Sequence, residues 1–246
     1  MVGSLAVMTG SARVLVVQHE EDAPLGWLGE WLADSGLDLD VRHPYADEEL
    51  PGSLSGYDGL VVLGGSMGAY DDAEHPWLTD TKTLLREALR DDVATLAVCL
   101  GHQLASVALG GKVARHPAGR QIGVFPLAWT QAVADDPVFA LLPGARGVQW
   151  NDDVVVEPPP GAVLLAGTPV GGPQVLRLGT RAWSVQFHPE AGYDIVVRWI
   201  ESDEREGSPR DRDVRAAFFD LKESESELYE TWQPVAARFA HQVAER

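Results

Sequence analysis

Over the first half of the chain, short apolar runs alternate with longer stretches whose apolar residues recur every three or four positions. Arg13-Val14-Leu15-Val16-Val17 has the length of a strand. Trp27, Leu28, Trp31 and Leu32 follow at helical spacing. Asp38-Leu39-Asp40-Val41 reads as a second, edge-like strand. Gly59-Leu60-Val61-Val62-Leu63 is a third run, stopped by Gly64-Gly65. Trp77 to Arg90 reads as a helix. Ala94-Thr95-Leu96-Ala97-Val98 is a fourth run and ends at Cys99. Leu104, Val107 and Ala108 continue as a helix that Gly110-Gly111 stops. Strands alternating with helices predict a parallel sheet with right-handed crossovers.

From Lys112 to His188 the pattern changes to short strands, among them Ile122 to Trp129 and Val175 to Leu178. Pro143-Gly144, Pro158-Pro159-Pro160-Gly161 and Gly171-Gly172-Pro173 separate them. Antiparallel strands appended to the parallel sheet are expected. After Pro189 the chain turns helical, with Ile195, Val196, Trp199 and Ile200 on one face. Glu201 to Arg212 reads as a charged linker. A second helical region ends in Ala236, Phe239, Ala240 and Val243, whose apolar face is predicted to pack on the body. Glu223-Ser224-Glu225-Ser226-Glu227 reads as the solvated start of that helix. The expected division is a flexible extension over 1–12, one domain over 13–204, and a packed helical extension over 205–246. The expected fold is α/β, a three-layer sandwich around a mixed, mostly parallel sheet. It is flavodoxin-like, with its site at the carboxyl ends of the parallel strands.

Composition narrows the function classes. The chain has 246 residues, 19 basic and 37 acidic, so its net charge is 19 − 37 = −18. Apolar residues make up 45%, enough for a sizeable core and against a wholly disordered chain. The charge has the wrong sign for gripping nucleic-acid phosphates or an anionic membrane surface. The acid looks concentrated in loops and the C-terminal region, away from the expected pocket. No apolar run approaches the roughly 20 residues of a membrane span. Met1 to Ala12 carries no Lys or Arg and so lacks the basic start of a signal peptide. The single cysteine, Cys99, excludes a disulfide framework and a four-cysteine zinc site. A reducing, cytoplasmic location is expected.

That cysteine ends a strand in Leu96-Ala97-Val98-Cys99-Leu100-Gly101-His102-Gln103-Leu104, and a helix pattern starts at once. This is the setting of a nucleophile elbow, in which a tight turn exposes the side chain above the strand ends. The helix amino end favours the thiolate. The Leu100 N–H faces the same space and can bind a developing oxyanion, and Gly101 spares the turn a Cβ. A buried structural cysteine is the plain alternative. Trp183-Ser184-Val185-Gln186-Phe187-His188-Pro189-Glu190 weighs against it. In extended backbone, residues two apart point the same way, so Glu190 can reach and orient the His188 imidazole. His188 can then exchange a proton with Cys99 and a leaving amine. Gly64-Gly65, after a buried strand, allows close backbone approach to a ligand. His19-Glu20-Glu21-Asp22 and Asp71-Asp72-Ala73-Glu74-His75 carry metal-ligand residue types but read better as solvated loops. Neither a metal nor a cofactor is expected. The eight tryptophans read as core or interface residues.

Together these segments resemble the class I, or triad, glutamine amidotransferase family. Its Gly-Gly oxyanion strand, Cys-Leu-Gly-His-Gln elbow and His-Pro-Glu end match Gly64-Gly65, Cys99 to Gln103 and His188 to Glu190, in that order. The spacing between the two main segments is 188 − 99 = 89 residues. The resemblance spans roughly Arg13 to Glu201. It implies the class I amidotransferase fold. It also implies glutamine hydrolysis to glutamate and ammonia through a γ-glutamyl thioester on Cys99, with His188 and Glu190 completing the triad. Gly65 and Leu100 would form the oxyanion hole. Gly64, Gln103, Gln121, Ile122 and Gly123 would line the substrate pocket.

The segment from Gly65 to Asp71 looks like stand-alone proteins similar to the amidotransferase part of GMP synthase. The sequence departs from the family in three places. Ala97 replaces a usual Gly, Gln121 a usual Glu, and Asn151 the His usual in that subgroup. Only 246 − 201 = 45 residues follow Glu201, too few for an ATP-binding synthetase domain. Ammonia would therefore pass to a separate synthetase subunit, the expected partner, or be released. Hydrolysis of another γ-glutamyl amide or peptide is the alternative. A binding module with a degenerate site is a third reading, and the intact Cys99, His188 and Glu190 count against it.

Overall fold

The computed structural model describes residues 11–140, 142–168, 172–205 and 212–245. All but two residues of the expected N-terminal extension lie outside that range. The first half alternates as its pattern predicts: β1 (Arg13–Val17), α1 (Gly26–Asp34), β2 (Asp38–Arg42), β3 (Gly59–Val62), α2 (Trp77–Arg90), β4 (Ala94–Val98) and α3 (Leu100–Ala108). Shorter strands follow: β5 (Lys112–Arg115), β6 (Gln121–Pro126), β7 (Ala128–Trp129), β8 (Arg146–Asn151), β9 (Asp153–Glu157), β10 (Val163–Gly167), β11 (Pro173–Arg177) and β12 (Ala182–Val185). Two helices end the chain, α4 (Tyr193–Arg205) and α5 (Arg212–Ala244).

The main sheet has eight strands in the order β2-β1-β3-β4-β12-β11-β10-β7. The first five are parallel, and β11, β10 and β7 extend the sheet antiparallel. The other short strands form two separate antiparallel ribbons, β5–β9 and β6–β8. The apolar stretch from Ile122 to Trp129 is thus two strands in different sheets. Pro126, which has no N–H to donate, closes β6, and β7 then joins the far edge of the main sheet.

Alternation along β1 shows why the fold has three layers. Val14 and Val16 share an apolar layer with Leu28, Trp31 and Leu32 of α1 and Phe239 and Val243 of α5. Leu15 and Val17 face the other way, into a layer with Leu84 and Leu85 of α2 and Leu104 of α3. A strand buried on both faces reads as an unbroken apolar run. β2, at the edge, is more polar, and its Asp40 is held by Arg13, Arg42 and Tyr57.

The C-terminal region departs from expectation in two ways. The predicted linker begins inside α4, which runs to Arg205; residues 206–211 of it lie outside the described residues. The acidic segment Glu223 to Glu227 sits within α5, not at its start. Its charges are used: Glu225 accepts from the Tyr193 N–H, and Glu227 pairs with Arg146 of β8. α5 buries Trp232, Ala236, Phe239 and Val243 against the body.

Candidate active site

The sheet order places β12 beside β4, although 83 residues of chain separate their ends (182 − 98 − 1). Val98 lies opposite Val185, and the Cys99 N–H donates to the Val185 carbonyl at 2.8 Å. The chain then turns directly into α3. Cys99 takes φ 49° and ψ −106°, a backbone state rarely adopted by a residue with a side chain and imposed by its surroundings. The positive φ therefore falls on the cysteine. Gly101 serves close approach instead: a Cβ there would lie 2.3 Å from the Val62 carbonyl oxygen. Ala97 is buried in the apolar layer with Leu60, Leu100 and Leu104, which accommodates its methyl.

β12 ends at Val185, so His188 stands beyond the sheet, and its N–H donates to the Val148 carbonyl of β8 at 2.8 Å. Its Nδ1 lies 2.6 Å from Glu190 Oε1, and both side chains are almost fully buried. Glu190 is itself pinned through its backbone. Its carbonyl accepts from the Trp27 N–H at 3.1 Å, and a Cβ on Gly26 would lie 2.3 Å from that oxygen. The His188 ring packs on Trp199 of α4, 4.6 Å between centroids. Burial opposes charge on the ring, but Cys99 and Glu190 outweigh it and raise the His188 pKa to about 10. Nε2, the nitrogen away from Glu190, is buried without a close hydrogen-bond partner among the described residues. A Cβ on Gly64 would lie 3.1 Å from His188 Cε1 and 3.5 Å from Cys99 Cβ, so this glycine leaves room for both.

Cys99 and His188 open onto a cleft of about 730 Å³. Gly65 lines it too. A Cβ on Gly65 would meet the Leu100 side chain and the His19 Cβ, each at 3.0 Å. The Leu100 N–H belongs to the first turn of α3, where helical N–H groups lack intrahelical acceptors. Gln103 lines the cleft and donates to the Asp153 carbonyl at 2.9 Å. Gln121, Ile122 and Gly123 are on β6, opposite Asn151, Trp150 and Gln149 of β8. Trp150 and Asn151 line the cleft; the three β6 residues stand one strand away, and Gln121 Nε2 donates to the Gly119 carbonyl.

Several lining residues had no role on sequence grounds. Trp150 and Trp199 pack with their rings tilted by 46° and 5.7 Å between centroids to form one wall, and Arg120 lies over Trp150. The proximity of Trp150 to the Asn151 departure was the available signal. The acid is not remote from the pocket. Glu20, Glu21, Asp22, Asp71, Asp152 and Asp153 line the cleft, against Arg115 and Arg120. Loop acids end up there because loops at the strand ends build its rim. Arg115 contacts Asp152 at 3.0 Å and Asp153 at 3.3 Å. Among the described residues, no group of three or more His, Cys, Asp or Glu side chains is arranged to hold a metal ion. Also among them, no helix is long and apolar enough to cross a membrane.

The solved structure of a glutamine amidotransferase from Thermotoga maritima superposes with a TM-score of 0.83 at 26% identity, covering 93% of this chain and 98% of that one. A glutamine-hydrolyzing GMP synthase subunit of Halobacterium salinarum is 34% identical over 159 residues, 63% of this chain and 79% of that protein. Gamma-glutamyl peptidase 4 of Arabidopsis thaliana is 25% identical over 213 residues, 85% of this chain and 83% of that protein. The sequence profile described as glutamine amidotransferase class-I matches residues 27–194, a span that holds the Gly-Gly loop, the cysteine elbow and the His-Pro-Glu segment. An elbow cysteine beside a carboxylate-held histidine, on this sheet and in this order, places the chain in the class I glutamine amidotransferase family.

Proposed function

We propose that this protein hydrolyses the γ-amide of glutamine to glutamate and ammonia through a thioester on Cys99. The observation that carries the reading is the buried His188–Glu190 pair, 2.6 Å apart, set over the cysteine elbow. His188 takes the Cys99 proton, the resulting thiolate attacks the amide carbon, and the carbonyl oxygen takes up negative charge. The N–H groups of Gly65 and Leu100 hold that oxyanion. His188, protonated and oriented by Glu190, gives its proton to the leaving nitrogen, and ammonia departs. His188 then takes a proton from water, the resulting hydroxide attacks the thioester carbon, and the C–S bond breaks; glutamate leaves with its carboxyl proton passing to solvent, and the thiolate takes back the proton from His188. In the proposed substrate pocket Gln103 stands at the cleft wall, Gly64 leaves room beside Cys99 and His188, and Gln121, Ile122 and Gly123 back the wall made by Trp150 and Asn151 from the neighbouring strand. A separate synthetase subunit in the cytoplasm would use the ammonia; the relative named as a GMP synthase subunit supports that part.

The test is release of glutamate and ammonia by the purified full chain. Activity in the wild type and its loss in Cys99→Ala support the reading. Equal inactivity of both, with and without candidate synthetase subunits, sinks it.

Cleft size favours a second reading with the same chemistry. About 730 Å³ falls in the range that takes drug-sized ligands, about 300–1,000 Å³, and exceeds what one amino acid fills. A larger γ-glutamyl amide or peptide fits that space, and the Arabidopsis relative is named a gamma-glutamyl peptidase. A panel of γ-glutamyl compounds separates the two. If kcat/KM for glutamine exceeds all others, the second reading is excluded.

A further inference from the structure

Gln186 lies between Val185, the last residue of β12, and the His-Pro-Glu segment, and its side chain is fully buried. Its backbone N–H is satisfied by the Gln174 carbonyl at 2.9 Å. Its side chain meets two polar groups. Nε2 donates to the Cys99 sulfur at 3.6 Å, and Oε1 accepts from Gln103 Nε2 at 3.3 Å. Gln103 Nε2 also donates to the Asp153 carbonyl at 2.9 Å.

The direction of this chain is determined at its far end. A backbone carbonyl only accepts, so Gln103 must turn its NH2 group toward Asp153. The second hydrogen of that group faces Gln186, which must therefore present its oxygen. With the oxygen committed, the Gln186 NH2 group has only the sulfur side left. A reversed Gln186 amide would set NH2 against NH2 and aim a carbonyl oxygen at the sulfur. From this geometry we propose that Gln186 is a positioning residue for the nucleophile, a neutral donor aimed at Cys99 Sγ by Gln103 and the Asp153 carbonyl.

A donor facing sulfur favours the thiolate, which only accepts, over the thiol. It also holds the sulfur on the side of the elbow facing Gln186 and Gln103. Gln103 thereby links the cleft wall to the nucleophile, and a ligand that pulls Gln103 away from Gln186 releases the donor. The charged groups that face the sulfur are separate from this chain. They are His188, with Glu190 behind it, and the acids of the cleft rim, Glu20 to Asp22, Asp71, Asp152 and Asp153, with Arg115 and Arg120. None is altered by substitution at Gln186.

The inference rests on Cys99 being the nucleophile, but it does not depend on the amide substrate. The test is alkylation of Cys99 by iodoacetamide as a function of pH, in the full chain without substrate. Gln186→Met keeps the volume and removes the donor. The midpoint of its alkylation profile is expected about one pH unit higher than wild type, with an alkylation rate near neutral pH about tenfold lower. Gln186→Glu, with a carboxylate facing the sulfur, is expected to move the midpoint further. A folded Gln186→Met whose profile overlays the wild type overturns the proposal, because a purely structural role changes activity without moving that midpoint. If Gln186→Met does not fold, the wild type decides. The Gln186 side-chain amide resonances should move as the thiol titrates; resonances that stay still overturn the proposal. Glutaminase failure with a shifted alkylation midpoint would sink the proposed reaction and leave this inference standing.

Discussion

Two histidines at the carboxyl end of the sheet are both buried, and their surroundings push their pKa values in opposite directions. His188 is raised to about 10. His102, three residues after the candidate nucleophile on α3, is lowered to about 3 by burial. His188 has a carboxylate at 2.6 Å and the Cys99 sulfur near it. His102 has a neutral hydroxyl instead, Ser184 Oγ at 2.8 Å from Nδ1. Burial strips charge from an imidazole unless an anion is buried with it. The first histidine is equipped to move protons, and the second is equipped to stay neutral inside the α3–β12 contact.

Four changes test that contrast. The largest effect is expected at the nucleophile: Cys99→Ala should lower glutamine or γ-glutamyl amide turnover by about a thousandfold or more, read as kcat. Next, Glu190→Gln keeps the hydrogen bond but removes one of the two anions that hold His188 charged, leaving the Cys99 sulfur as the other. Burial then pulls the ring back toward neutrality. Turnover should fall about a hundredfold or more, and the alkaline limb of kcat/KM should move to lower pH, away from about 10. An unmoved limb would show that Glu190 does not set the charge of His188.

Gly101→Ala tests the backbone that holds the elbow. Its Cβ would strike the Val62 carbonyl oxygen at 2.3 Å, so β3 and α3 must separate. A stability loss of about 2 kcal/mol or more is expected, measured by urea unfolding. The smallest effect is at His102. Folded His102 stays neutral to about pH 3, whereas the unfolded chain takes a proton near pH 6.5. Folded stability is therefore lost as pH falls from about 6.5 to about 3, and is flat in this contribution above that window. His102→Gln should make the acid-side decline shallower in unfolding measured at pH 7, 5 and 4, without moving the activity profile. His19, also lowered to about 3 by burial and then by His75, keeps its own share of that decline. A decline as steep as wild type would show that His102 is not protonated on unfolding in that window.

The parallel half of the fold was legible because its physics is local. β1, β3 and β4 are buried on both faces, so they read as apolar runs, and α2 starts and ends where its pattern does. The ribbons were less legible. β6 is only half-buried and β8 mixes polar with apolar residues, and nothing in the pattern from Ile122 to Trp129 says that the chain leaves one sheet for another at Pro126. The same limit applied to the cleft rim. Glu20, Asp71 and Asp152 look like ordinary loop acids until three distant loops meet.

The sequence by itself determined the layered α/β class, the strand that ends at Cys99, and the local reach of Glu190 to His188 two residues before it. Those depend on periodicity and on neighbours along the chain. Only the tertiary structure decided that β12 lies beside β4, which brings Cys99 and His188 together across 89 residues (188 − 99). It also decided that Gln103 faces Gln186, that two tryptophans form a cleft wall, and that one buried histidine is charged while another is neutral. The physical reason is common to all of these. Charge states and hydrogen-bond directions are set by which groups are buried together, and burial partners are chosen by sheet order, which no local pattern contains.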